Sequence, residues 1–211
     1  MTARPARVVF VAGTGTAVGK TWVASEVLNH LRAGGRSVCA RKPAQSFDAA
    51  DTSTDADALA AATGESAHDV CPPHRWYARA LAPPMAAAAL GAPVFTVGDL
   101  VAELRWPPRT DVGVVEGAGG ARSPIAADGD NVSLACAIGP DLVLLVADAG
   151  LGTINAVRMS LDAFGPAPVT VVLNRYDDGD AVHRANREWL GARDGFDVVV
   201  GTEATAARIV P

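Results

Sequence analysis

The sequence of 211 residues is 49% hydrophobic and 19% charged, with a formal net charge of −5, the balance of a globular chain long enough to bury a core. Lys and Arg form no clustered stripe, which argues against a nucleic-acid face. No apolar run reaches bilayer length, Met1 to Arg7 carries no signal-peptide pattern, and Cys39, Cys71 and Cys136 lack disulfide-framework or zinc spacing; a cytoplasmic protein without a membrane partner is expected.

In chain order the apolar pattern predicts a strand at Val8–Ala12 and a helix at Thr21–Arg32 stopped by Gly34-Gly35. A strand at Ser37–Arg41 follows, then helices at Asp55–Ala62, Pro84–Leu90 and Val97–Leu104. Next come strand Val112–Glu116, helix Asn131–Ile138, strand Leu142–Ala147 and helix Ile154–Phe164. Strand Val169–Leu173, helix Ala181–Gly191 and strand Asp197–Val200 complete the series. Each strand is a continuous apolar run, as expected when both faces are covered by helices. The alternation predicts an α/β fold: one doubly wound, mostly parallel sheet in a single domain over 1–211, with ligands at the carboxyl ends of the strands.

The first strand runs into Gly13-Thr14-Gly15-Thr16-Ala17-Val18-Gly19-Lys20-Thr21. Glycines let backbone N–H groups converge on phosphate oxygens, and the helix N-terminus adds about half a positive charge. Lys20 is placed to reach the β- and γ-phosphates and the Thr21 hydroxyl to ligate Mg²⁺. Five residues separate Gly13 from Gly19, one more than in the common phosphate loop. A dinucleotide loop would not continue into Lys-Thr.

Other strand ends supply further candidates. Lys42 ends the second strand and can neutralise charge developing on a transferred phosphoryl group. Glu116 ends a buried strand before Gly117-Ala-Gly119-Gly120, the usual place for a second Mg²⁺ contact. Asp48, Asp51, Asp55 and Asp57 form an acidic stretch in which pattern alone does not select a metal ligand. The segment from Asp148 to Asn155 opens a helix with free N–H groups. Asn174 closes a strand, where its amide could read a purine edge or serve a turn.

Together these motifs, Gly-Thr-Gly-Thr-x-Val-Gly-Lys-Thr, Lys-Pro-x-Gln-Ser, Glu-Gly-Ala-Gly-Gly and Gly-Leu-Gly-Thr-Ile-Asn, resemble the dethiobiotin synthetase family, in order from Val8 to Arg175. The resemblance implies ATP- and Mg²⁺-dependent ring closure of 7,8-diaminopelargonic acid with CO₂ through a carbamate and a carbamic-phosphoric anhydride. It implies that Lys20, Lys42 and Thr16 are catalytic, and that ATP is held by the loop from Gly13 to Thr21, with Glu116, Gly119 and Asn174. It further implies Thr21, Asp57 and Glu116 on Mg²⁺, Asp57 being chosen because Asp-Ala-Leu matches the family's segment. Ser46 and Gly119 would meet the carbamate. Gly152, Thr153 and Asn155 would take the substrate carboxylate from a neighbouring subunit of a homodimer.

The chain departs from the family at Gly15, where many members carry Asp, and at Phe47, where a small residue is usual and a ring could narrow the pocket. Met85 and its neighbours only partly match a segment that often carries His, and the tail from Gly201 lacks the usual Pro. A ligase or carboxylase of the same fold acting on another small amine or acid is the alternative. A partitioning ATPase would generally carry an early loop lysine, absent here.

Overall fold

The computed structural model describes residues 4–210. It opens with β1 (Arg7–Gly13), α1 (Lys20–Ala33) and β2 (Val38–Arg41), followed by the short β3 (Gln45–Ser46) and α2 (Asp55–Thr63). Then come α3 (Ala67–Val70), β4 (Trp76–Tyr77), α4 (Pro83–Ala89), α5 (Val97–Glu103) and β5 (Val112–Glu116). A small hairpin, β6 (Pro124–Ala126) with β7 (Gly129–Asp130), leads into α6 (Asn131–Ile138) and β8 (Leu142–Asp148). The last part is α7 (Thr153–Phe164), β9 (Val169–Asn174), α8 (Ala181–Glu188), β10 (Asp197–Val200) and α9 (Thr202–Ile209).

Six strands form one sheet in the order β10-β9-β8-β1-β5-β2, every neighbouring pair parallel. The register pairs Val9 with Val114 on one side of β1 and Phe10 with Val143 on the other. Alternate residues of β1 feed two cores. Val8, Phe10 and Ala12 face a core shared with Leu100, Leu134 and Val157. Val9 and Val11 face the other, built with Val27, Leu28 and Leu59. This two-sided burial explains the unbroken apolar runs. Sequence order reverses at β1: β5 and β2 lie to one side, β8 to β10 to the other. The crevice outside the carboxyl ends therefore opens where β1 meets α1, the expected place for a ligand.

Differences from the sequence-based elements are confined to ends and small pieces. α2 begins as predicted because Thr54 closes a reciprocal capping box with Asp57. The predicted helix to Gly191 is interrupted, since Trp189–Arg193 relaxes into a π turn. The short pairs β3–β4 and β6–β7, and helix α9, carry too little apolar periodicity to be foreseen. Among the described residues no helix is long and apolar enough to cross a membrane.

Candidate active site

The phosphate loop is built from backbone constraints. Thr14 N–H donates to the Val146 carbonyl at 2.9 Å, tying the loop's start to β8. Gly19 has φ 92°, a left-handed conformation that glycine adopts without steric penalty. A Cβ there would also lie 2.1 Å from Asn174 Nδ2, so both dihedral and space demand glycine. Helix α1 has no side-chain cap, which leaves first-turn N–H groups directed out of the helix end, as an anion site requires. Lys20 is buried and its ammonium donates to the Gly15 carbonyl at 3.0 Å. Burial, reinforced by the nearby Lys42 charge, pulls its pKa below the ordinary lysine value.

Beneath the loop the strand ends bring together a charged cluster. Lys42 Nζ donates to Glu116 Oε1 at 2.6 Å, to Asp55 Oδ2 at 2.6 Å and to the Gly117 carbonyl at 3.0 Å. The Thr21 hydroxyl lies 2.8 Å from Asp55 Oδ1 and 2.9 Å from Glu116 Oε1. Burial disfavours the charge on Lys42, but the carboxylates of Glu116 and Asp55 outweigh it and hold the pKa above the usual lysine range. For Glu116 burial wins and raises the pKa, while Asp55, against the pull of burial, is lowered by Lys42 and Thr21. Among the described residues, Glu116 Oε2 is buried without a hydrogen-bond partner.

The selection among the aspartates differs from expectation. Asp57 lies one position off the inward face of α2, and its Oδ2 accepts from Thr54 N–H and Oγ1 at 2.8 Å each. It is a capping residue outside the cluster, whereas Asp55 reaches Thr21 and Lys42. The local Asp-Ala-Leu match sits two positions from the carboxylate that the helix start presents inward. Among the described residues no three His, Cys, Asp or Glu side chains gather as a metal site. Two carboxylates and a hydroxyl, with one carboxylate oxygen unpartnered, are nonetheless the hard oxygen set that suits a Mg²⁺ otherwise held by phosphate.

A cleft of about 710 Å³ opens over these groups, lined by Thr16, Lys20, Lys42, Ser46, Asp55 and Gly119 among others. Ser46 Oγ donates to the Leu81 carbonyl at 2.5 Å, joining β3 to the start of α4 at the cleft wall. Phe47 turns away: its ring packs edge-on to Trp76 at 6.1 Å and does not line this cleft, so it does not narrow it. The Glu116–Gly120 loop is held by Asn131, a residue that sequence reasoning passed over. Asn131 is buried, its Oδ1 accepts from Ala118 N–H, and its Nδ2 donates to the Ala118 and Gly120 carbonyls. A Cβ on Gly117 would lie 2.3 Å from Asn131 Oδ1, which accounts for that glycine. Its only sequence signal is its place just after the Asp130 helix cap.

A second cavity, also about 710 Å³, lies on the other side of the loop and is lined by Gly19, Trp22, Asn174, Tyr176, Gly201 and Thr202 among others. Asn174 borders this cavity with one Nδ2 hydrogen donated to the Val18 carbonyl at 2.9 Å, which fixes how the amide stands. Gly152, Thr153 and Asn155 do not border the cleft of their own chain. They sit at the start of α7, where Gly152 has φ 88° and the buried Thr153 Oγ1 has no partner among the described residues. Asn155 contacts Met159, and Leu151 beside them is 89% exposed.

The AAA domain family model matches residues 7–200. The ATP-dependent dethiobiotin synthetase of Anaeromyxobacter dehalogenans strain 2CP-C is 40% identical over 174 residues, 80% of this chain and 77% of its own. That of Rhodococcus erythropolis is 33% identical, covering 91% of this chain and 86% of its own. Among solved structures, a Borrelia burgdorferi protein assigned to plasmid partition and bound to AMPPNP aligns with TM-score 0.59 at 12% identity, covering 94% of this chain and 86% of its own. Chloroplast FtsY from Physcomitrella patens aligns with TM-score 0.51 at 18% identity, covering 100% and 67%. At those identities the structures speak for the fold alone. Sequence similarity over most of both chains, together with the loop, Lys42 and Glu116 in one cleft, places this chain in the ATP-dependent dethiobiotin synthetase family.

Proposed function

We propose that the chain closes the ureido ring of dethiobiotin, using ATP and CO₂ on 7,8-diaminopelargonic acid. The observation that carries this reading is Lys42, buried between Asp55 and Glu116 beneath a phosphate loop and facing a cleft shared with Ser46 and Gly119. One amine of the substrate adds to CO₂, losing a proton and forming a carbamate. A carbamate oxygen attacks the γ-phosphorus, and the bond to ADP breaks. The second amine then attacks the carbamate carbon, phosphate leaves with the proton that the amine gives up, and the ring closes. Lys20, Lys42 and the Thr16 hydroxyl neutralise and orient the phosphoryl group, while Ser46 and the Gly119 backbone hold the carbamate. Catalysis here is positioning and charge neutralisation, so no nucleophilic side chain is required.

Thr21, Asp55 and Glu116 would hold Mg²⁺, which supplies further charge neutralisation to the β- and γ-phosphates. The unpartnered Glu116 Oε2 supports that assignment. Asn174, with Nδ2 engaged on Val18, keeps Oδ1 as the atom to accept from an adenine amino group. The start of α7 completes the site of a second copy, because the exposed Leu151 just before it and the buried Thr153 do not border the chain's own cleft. The setting is the cytoplasm. The test is ATP cleavage measured against each co-substrate: release of phosphate should require both the diamine and bicarbonate. Cleavage indifferent to the diamine, or stimulated only by another amine or acid, would sink this reading in favour of a different ligase.

A further inference from the structure

The Lys-Pro-x-Gln-Ser segment contains one polar residue to which the reaction gives no part. Gln45 is 1% exposed and does not border the phosphate cleft. A buried amide is costly unless its groups are paired, and both ends of this one are. Oε1 accepts from Ala56 N–H at 3.0 Å, and Nε2 donates to Thr54 Oγ1 at 3.3 Å. Only an acceptor can meet a backbone N–H, so the amide has one orientation here. Its two partners are the residues on either side of Asp55 at the start of α2.

The capping box of Thr54 and Asp57 fixes where α2 begins along its own axis, but not how that end stands against the sheet. Ala56 and Leu59 seat the helix in the core with Val27 and Leu28. Apolar burial is non-directional, whereas a hydrogen bond has a required length and angle. Residues 48–53 between β3 and α2 are all exposed, so burial in the connecting loop does not place the helix end. Gln45 is the direct side-chain tie. Lys42, Pro43, Ala44 and Gln45 are consecutive and buried, and Lys42 N–H donates to the Val70 carbonyl at 2.8 Å. One short segment therefore carries both the ammonium that meets Asp55 Oδ2 and the amide that holds the turn bearing Asp55.

We propose that Gln45 is a positioning residue for the metal carboxylate: its amide, bonded on both sides of Asp55, keeps that side chain beside Thr21 and Glu116 as a ligand for Mg²⁺. This rests on the reading that these three residues hold the metal, and not on the identity of the amine. Mn²⁺ binding to the intact protein in the presence of ADP, followed by loss of the free-ion EPR signal, tests it apart from turnover. Gln45→Met keeps the side-chain length and removes both bonds. Its Mn²⁺ affinity should fall about tenfold, the lower end of the cost of losing a group that orients a metal ligand. In steady-state assays the Mg²⁺ needed for half activity should rise by a similar factor, with kcat recovered to within about twofold at saturating Mg²⁺. Asp57→Asn is the control, because it weakens the same helix start and should leave Mn²⁺ affinity unchanged.

Asp55→Asn separates this inference from the reading beneath it. If Asp55→Asn loses Mn²⁺ affinity while Gln45→Met binds no more weakly than Asp57→Asn, Gln45 is only a helix cap and the inference is overturned. Native-like Mn²⁺ affinity in Asp55→Asn, or no Mn²⁺ uptake by the native ADP complex, would remove the metal reading and the inference with it. If Gln45→Met does not fold, Gln45→Asn carries the test, being one methylene too short to span Thr54 and Ala56. Unchanged Mn²⁺ affinity in that variant overturns the inference.

Discussion

The two cavities flanking the phosphate loop are built on different principles. On the triphosphate side a charged and polar cluster is cross-held: Lys42 by Asp55, Glu116 and Gly117, and the Thr21 hydroxyl by the same acids. On the other side the walls are Trp22, Tyr176 and the short Gly201-Thr202 turn, and the one buried amide, Asn174, is engaged on the loop itself. A transferring phosphoryl group demands fixed charges in a dry site, because reorganisation there would raise the barrier. A base needs mainly a flat apolar surface, which isolated side chains provide. Substitutions on the triphosphate side should therefore collapse turnover, and those on the other side should shift affinity.

The largest effect is expected at the lysines. Lys20→Ala or Lys42→Ala should lower kcat by on the order of 10³-fold in the coupled phosphate-release assay. Lys42→Ala also exposes the pH logic of the cluster. The folded-state pKa of Glu116 is raised by burial, so the stability tied to it is present at low pH and lost as pH rises through that value. Removing the cation that restrains the shift enlarges the loss, so chemical denaturation should find the variant weaker relative to native protein at about pH 8 than at about pH 5. Equal destabilisation at both would contradict the described pairing.

A pair of aspartate variants sharpens the metal side of the comparison. Asp55→Asn should reduce kcat by roughly 10²-fold and raise the Mg²⁺ needed for half activity. Asp57→Asn should leave kcat near native and lose about 1 kcal/mol of stability through the α2 cap. The reverse pattern would return the metal role to Asp57. On the base side, Trp22→Ala should raise KM for ATP by a few-fold, the scale of one aromatic contact, with kcat held. A collapse of kcat there would erase the contrast between the cavities. The smallest readout is thiol accessibility. Burial pushes Cys39 up to about 11 and Cys71 up to about 12, and Cys136 is exposed. A disulfide reagent at about pH 8 should label one thiol quickly and two only on unfolding.

What the sequence by itself determined is whatever one short segment encodes. Two-sided strand burial showed as unbroken apolar runs, and the phosphate loop showed as glycines placed between a strand and Lys20-Thr21. Lys42 and Glu116 stood out because strand ends in this fold converge on one edge of the sheet. Tertiary structure decided what depends on direction in space. A helix advances about 100° per residue, so Asp55 and Asp57 point to different partners although both sit in the first turn of α2. Asn131 and Arg175 act on loops 11 and 158 residues away, a separation that no local pattern records. Strand order, which carries the end of β9 to the loop after β1 only by way of β8, is likewise written in pairing across the sheet.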